Sequence, residues 1–293
     1  MLSILIPTYN YNSFPLVEVL HKQLVAFKIS FEIICIDDGS KSKLNIENQK
    51  INQLSLCSFE LLEKNIGRSA IRNLLASKAN YNWLLFLDAD VLPKNNTFIS
   101  KYLSCIKEGK KVFCGGVAYN RTPDNINLLR YKYGIKYEEI KINKRNRSPY
   151  KFFFTSNFLI PKEFFKQVQF EEILLKYGRE DLLFSLDLQK RGYKVVQIEN
   201  EIYHLGLDDD FTFVSKTKEA MENIIFLEKK GLLEKEHGSL LKIVSKVELI
   251  GLLKLVGNLY PFFERVAIKR KSIFYFNCLK ISYLCRIKIV LNG

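Results

Sequence analysis

The sequence predicts an α/β fold, a mostly parallel Rossmann-like sheet followed by a C-terminal helical extension, and three observations predict it. Short apolar runs alternate with helix-length amphipathic segments through the first 120 residues, the order that builds βαβ units. The runs end in polar clusters, Pro7-Thr8-Tyr9-Asn10, Asp37-Asp38-Gly39-Ser40 and Asp88-Ala89-Asp90. Past Gly206 the strand signal gives way to long helical segments. The expected division is residues 1–205 for the sheet domain and 206–293 for a basic, amphipathic extension suited to membranes.

In order, residues 3–6 read as a strand and 14–27 as a helix with Ser13 as its cap. Residues 31–36, apolar but for Glu32, read as a strand. A helix follows, then the strand 59–62 and a helix over 67–78. Next come the strand 83–87, a helix over 97–107 and a strand over 112–119. Beyond Asn120 the pattern loosens: 128–141 reads as helical, 144–147 as a basic loop and 152–160 as a strand closed by Pro161. A helix over 180–191 precedes the strand 194–198. Helices over 213–230 and 240–259 complete the reading, the last stopped by Pro261.

A chain of 293 residues with 47% apolar content, 22 Phe and 15 Tyr buries a large core. The six cysteines form no Cys-x-x-Cys pair, and Cys35 and Cys114 fall in apolar runs, which suits a reducing cytosol. Met1-Leu2-Ser3-Ile4 lacks the basic region of a secretory signal and reads as the first strand. The net charge of +14 concentrates in residues 265–293, which hold seven Lys or Arg and no acid, interleaved with Phe274, Tyr275, Phe276, Leu279, Tyr283 and Leu284. Such a mixture suits an anionic membrane surface. No nucleic-acid-binding signature accompanies it, so nucleic acid is not an expected partner. Four charges interrupt the apolar stretch 240–263, against the run of about 20 apolar residues that spanning a bilayer takes.

Asp88 and Asp90 close a buried strand with two carboxylates one residue apart. Few carboxylates completed by phosphate oxygens is the arrangement Mg²⁺ or Mn²⁺ prefers, so a metal–diphosphate site is expected. Pro7, Thr8 and Tyr9, with Asp37 and Asp38, lie where a nucleotide sits in such a sheet, although Asp-Asp-Gly-Ser is equally a turn with a helix cap. Gly67, Arg68 and Arg72 open a helix with two cations on one face. These fit a diphosphate at the helix N-terminus or an ordinary solvated face. Glu180 and Asp181 sit at a helix start, where acids cap, and where a carboxylate could take a proton from a sugar hydroxyl.

The ordered set Pro7-Thr8-Tyr9-Asn10, Asp37-Asp38-Gly39-Ser40, Asn65-x-Gly67-Arg68-x-x-x-Arg72-Asn73, Asp88-Ala89-Asp90 and Glu180-Asp181 resembles the family 2 glycosyltransferases of the GT-A fold, over roughly residues 1–205. The resemblance implies that Thr8, Tyr9 and Asp37 contact the nucleoside and that Asp88 faces the ribose or sugar. It implies that Asp90 holds a divalent cation (Mn²⁺ or Mg²⁺), with His204 a second ligand or a structural histidine. Asp181 would be the base, Glu180 would hold the acceptor, and Thr155, Ser156 and Asn157 would shape the acceptor and sugar pocket. The family inverts the anomeric centre.

The Gln-x-x-Arg-Trp motif of processive members is absent, since the one tryptophan is Trp83, so addition of a single sugar is expected. The implied donor is a nucleotide sugar, by default a UDP-sugar. The implied acceptor is a glycan or lipid-linked glycan of bacterial surface polysaccharide, met on the cytoplasmic face of the inner membrane. Rival readings are an inactive GT-A-fold binding subunit and a sugar-1-phosphate nucleotidyltransferase. The latter needs a Gly-rich loop after the first strand, where this chain has Pro7-Thr8-Tyr9-Asn10-Tyr11-Asn12.

Overall fold

The computed structural model describes residues 1–174, 176–233 and 239–292. By internal packing the chain forms two compact units. The first comprises residues 1–120, 135–173 and 180–206; the second comprises 121–134, 174–179 and 207–293.

Among the described residues the strands all lie in the first unit: β1 (Leu2–Thr8), β2 (Phe31–Asp37), β3 (Cys57–Leu61), β4 (Trp83–Leu87), β5 (Val91–Pro93), β6 (Val112–Cys114), β7 (Val117–Ala118), β8 (Asn157–Pro161), β9 (Val195–Gln197) and β10 (Ile202–His204). A seven-stranded sheet runs β3-β2-β1-β4-β8-β6-β9, and β5-β10-β7 form a second, three-stranded sheet. In the large sheet only β8 is antiparallel, to both β4 and β6. Leu2, Ile4, Leu5 and Ile6 of β1 are all buried, as a central strand covered by helices on both faces requires.

Parallel pairing fixes where polar ends meet. Thr8 stands opposite Asp37 in the β1–β2 register, and the amide of Asp38 donates to the carbonyl of Thr8 at 2.8 Å. The start of antiparallel β8 comes to the same edge, with Asn157 opposite Leu87 and the Asp88 amide donating to the Ser156 carbonyl. Beneath this edge lies a phenylalanine core. Phe86 stacks on Phe158 with ring centroids 4.8 Å apart, and Phe170 stacks on Phe184 at 4.3 Å.

Several elements depart from the sequence reading. The run 112–119 is two strands in different sheets, parted at Gly115-Gly116. Gly116 has φ +86°, and a Cβ there would meet the Arg145 guanidinium at 2.7 Å. Residues 144–147, read as a loop, belong to the helix Ile142–Arg147, and Arg145 is 1% exposed. Only Asn157–Pro161 of the run 152–160 pairs as a strand; Phe152 and Phe153 are buried without joining the sheet. Ser13 makes no side-chain cap, and its amide and hydroxyl both donate to Asn48 Oδ1.

In the second unit Asp209 caps the helix Asp210–Lys229, its Oδ1 accepting the amides of Phe211 and Thr212 at 2.9 and 3.0 Å. Leu129, Phe213, Val214, Ala267, Phe276 and Leu279 form its core. The stretch 240–259 is two helices, Ser239–Leu249 and Leu253–Asn258, separated at Gly251, whose φ is +75°. Pro261 does not stop a helix but occupies the first turn of Tyr260–Arg270, where its missing N–H costs nothing. The basic tail is that helix and Ile273–Asn292, and Phe276, Leu279 and Leu284 are buried there. Among the described residues no helix is long and apolar enough to cross a membrane.

Candidate active site

At the carboxyl ends of β1 and β2, Asp37 is fully buried and holds Ser40 through its amide (2.8 Å) and its hydroxyl (2.6 Å). Asp38 accepts the amides of Ile66 at 2.7 Å and Gly67 at 3.0 Å, tying the end of β2 to the start of the helix Arg68–Lys78. Burial pushes the Asp38 carboxyl above its ordinary value and Asp37 adds to this, while the two amides favour the charged form. Thr8 is buried, its Oγ1 3.3 Å from Ser13 Oγ; Pro7 is half-buried and Tyr9 is exposed.

The helix Arg68–Lys78 links the remaining motifs. Arg72 Nη2 lies 2.6 Å from Asp88 Oδ1, and Arg72 is buried, which excludes a solvated face at that position. Its guanidinium also sits over the Phe170 ring at 5.5 Å. One turn earlier, Arg68 Nη1 lies 2.7 Å from Glu180 Oε1. Burial pushes the Glu180 carboxyl up, but the charges of Arg68 and Arg72 outweigh it and hold the group below the usual glutamate range. Glu180 Oε2 is buried without a hydrogen-bond partner. The same ion pair brings the start of the helix Glu180–Lys190, with half-buried Asp181, to the edge where Asp88 lies.

Asp90 reaches this edge by a different route. β5 follows it directly and pairs antiparallel with β10, Val91 opposite His204, and the Leu205 amide donates to the Asp90 carbonyl at 2.8 Å. His204 Nε2 is thereby 3.6 Å from Asp90 Oδ2, outside hydrogen-bonding range, and His204 Nδ1 is buried without a partner. The Tyr119 ring stacks on the imidazole at 5.9 Å. A Cβ at Gly206 would collide with the Asp90 carboxylate and force it to move. Burial first, and then the negative charge of Asp90, push the Tyr11 hydroxyl up. Among the described residues no three His, Cys, Asp or Glu side chains gather as a preformed metal cage. One carboxylate facing one imidazole nonetheless fits a cation that takes its remaining ligands from phosphate and water.

The stretch 155–157 divides in role. Asn157 is buried and satisfied: its Oδ1 accepts from Tyr102 at 2.6 Å, and its Nδ2 donates to the carbonyls of Gly116 and Asn200, both at 2.9 Å. Thr155 and Ser156 are buried beside Asp88. Sequence reasoning missed Tyr11, and it missed Arg145, whose Nη1 donates to Gln197 Oε1 at 2.7 Å and whose Nη2 donates to the Ile198 carbonyl at 2.9 Å. Arg145 braces the point where β6 and β7 part. Two consecutive glycines inside a strand pattern are the signal that finds it.

The sequence profile of glycosyl transferase family 2 matches residues 3–169. Over 226 residues the chain is 26% identical to a chondroitin synthase of Pasteurella multocida, a match covering 65% of this chain and 23% of that one. The chain thus spans about a quarter of the length of that curated relative. The fold is similar to two solved structures. One is S. aureus TarS 1-349 in complex with UDP-GlcNAc, with TM-score 0.51 and 18% identity over 99% of this chain and 91% of that one. The other is mannosyltransferase PcManGT from Pyrobaculum calidifontis in complex with GDP-Man and Mn2+, with TM-score 0.57 and 13% identity over 100% and 87%. With its GT-A fold and a family match over more than half its length, the chain belongs to glycosyl transferase family 2 and is a glycosyltransferase.

Proposed function

We propose that the chain moves a single sugar, with inversion, from a nucleotide-diphosphate sugar to a hydroxyl of a glycan or lipid-linked acceptor. The observation that carries this reading is the pair of ion contacts on one helix, Arg72 to Asp88 and Arg68 to Glu180. They tie the Asp-Ala-Asp segment and the Glu-Asp segment to a common support.

In this reading residues 1–205 do the chemistry and 206–293 are an extension. Pro7, Thr8, Tyr9 and Asp37 border the nucleoside, and Asp38 holds the loop that carries Gly67. Arg72 fixes the Asp88 carboxylate toward the ribose or sugar. Asp181 accepts the proton of the incoming hydroxyl as its oxygen bonds to the anomeric carbon and the bond to the diphosphate breaks. Glu180 is kept charged by Arg68, and its Oε2 is left to receive an acceptor hydroxyl. Thr155 and Ser156 border the sugar, and Asn157 supports them from behind.

Asp90 and His204 would hold a divalent cation, Mn²⁺ or Mg²⁺, which when bound neutralises charge on the departing diphosphate. Use of a UDP- or GDP-sugar is supported by what TarS and PcManGT bind, UDP-GlcNAc and GDP-Man with Mn2+. The acceptor belongs to bacterial surface polysaccharide, and the enzyme works peripherally on the cytoplasmic membrane face. The test is a thermal-shift screen of nucleotide sugars with and without Mn²⁺, since a ligand that binds only the folded state raises the unfolding midpoint. One donor is expected to stabilise the chain in a Mn²⁺-dependent way. No stabilisation by any nucleotide sugar would contradict the reading.

A further inference from the structure

We propose that an apolar ridge over residues 249–262, in the second unit, is the surface that seats this chain on an anionic lipid bilayer. The proposal deepens the membrane half of the reading above and is independent of its sugar-transfer half.

Sequence alone points to the tail at 265–293, but folding withdraws much of that tail's apolar surface: Phe276, Leu279 and Leu284 are buried. Phe274, Val290 and Leu291 stay exposed in the tail, but a longer exposed apolar series lies earlier. Leu249 is 86% exposed, Ile250 65%, Leu255 61% and Phe262 55%, with Leu252 and Leu259 also exposed. From Leu252 the spacing is three, four and three residues, which draws one stripe along the consecutive helices Leu253–Asn258 and Tyr260–Arg270. The opposite side of these helices is already used. Ala267 is buried, and Gly257 lets its helix approach Ile273–Asn292 so closely that a Cβ would meet Arg286 N at 3.1 Å. Leu249 and Ile250, exposed just before the Gly251 turn, directly precede this stripe in the chain.

A contiguous apolar patch of this kind marks an interaction site, and its border selects the occupant. Residues 239–271 carry seven Lys or Arg against two Glu. Of the two acids, Glu264 is paired with Lys218 at 2.8 Å and Glu248 lies 3.4 Å from Lys288. Lys242, Lys246, Lys254, Lys269 and Arg270 are exposed around the ridge. Protein interfaces are depleted in lysine. An anionic bilayer instead attracts lysines at its headgroups while leucine and phenylalanine enter the acyl boundary.

The test is co-sedimentation of the full chain with phosphatidylcholine vesicles containing about one third phosphatidylglycerol. The variants are a ridge triple, Leu252→Gln, Leu255→Gln and Phe262→Gln, a charge pair, Lys246→Glu and Lys254→Glu, and a tail control, Phe274→Gln with Arg286→Glu. All these positions are exposed, so thermal midpoint and donor hydrolysis should stay at wild-type values. The expected result is a loss of about tenfold or more in the bound fraction for the ridge triple, a salt-sensitive loss for the charge pair and little change for the tail control. Wild-type binding by the ridge triple overturns the proposal. Loss confined to the tail control overturns it while leaving membrane association standing. A wild-type chain that ignores the vesicles overturns both, without touching sugar transfer. Ridge-dependent dimerisation in light scattering, with no vesicle binding, also overturns it, in favour of a second copy as the occupant.

Discussion

Arg72 places its Nη2 2.6 Å from Asp88 Oδ1 from inside the protein, with its side chain only 6% exposed against 29% for Asp88. A buried cation thus meets the first aspartate of Asp-Ala-Asp from behind and leaves that carboxylate partly open in front. Arg72→Met should cost about 2 kcal/mol of stability, since it removes a buried charge-assisted hydrogen bond. It should also weaken donor binding by about tenfold because Asp88 loses its orientation. Urea unfolding and calorimetric titration with the donor check the two effects; unchanged donor affinity would remove Asp88 from the donor site.

Asp181→Asn should lower kcat by about 10²- to 10⁴-fold, the usual contribution of a positioned general base. Donor affinity should stay near wild type, because the base acts on the acceptor. Single-turnover transfer alongside donor titration separates the two.

Asp90→Asn and His204→Gln should each weaken the apparent Mn²⁺ affinity by about tenfold or more, a loss that even outer-shell partners of a metal produce. Gly206→Ala should behave similarly, since its Cβ would displace the Asp90 carboxylate. Mn²⁺ titration of the donor-induced thermal shift reports all three.

Much of the edge that carries these residues was legible because apolar runs bracket it. Thr8, Asp37 and Asp88 each follow a largely apolar strand, broken only by Ser3 and Glu32, and parallel pairing alone then collects them. Arg145 was not legible: Lys-Arg-Asn-Arg reads as a solvated turn, and its burial depends on carbonyls about 30 and 53 residues away. Asn157 was visible as a polar residue entering a strand. Its partners Tyr102, Gly116 and Asn200 are set by tertiary packing, so its supporting role was hidden. The tail misled for the opposite reason. A run of Phe, Tyr and Leu with lysines looks the same whether its apolar face meets lipid or, as for Phe276 and Leu279, a core.

Arg145→Met should destabilise the fold by about 3–5 kcal/mol, the cost of breaking a buried charged network from one side. Glu201 Oε1 at 3.6 Å and Gln197 would lose their partner. Gly116→Ala should cost about 2 kcal/mol or more, from a left-handed backbone and the clash with the guanidinium. Urea unfolding measures both, and tolerance of either change would deny the bracing role of Arg145.

Glu180 has its carboxyl held below the ordinary glutamate value of 4.5. Its contribution to stability is therefore complete above that value and is lost as the pH falls through the depressed folded value. In Arg68→Gln the Glu180 carboxyl loses its nearest cation and titrates at higher pH, so acid destabilisation should begin earlier. Unfolding free energy measured from about pH 3 to about pH 7 distinguishes the two proteins; superimposable profiles would show that Arg68 does not control Glu180.

The most direct measurement is anomalous diffraction at the manganese edge from crystals of the full chain grown with Mn²⁺ and its nucleotide-sugar donor. The expected map has a peak between Asp90 and His204, bridged to the diphosphate, with the Asp181 carboxylate facing the opposite side of the anomeric carbon. A manganese peak elsewhere, or a sugar whose anomeric carbon faces away from Asp181, would contradict the account.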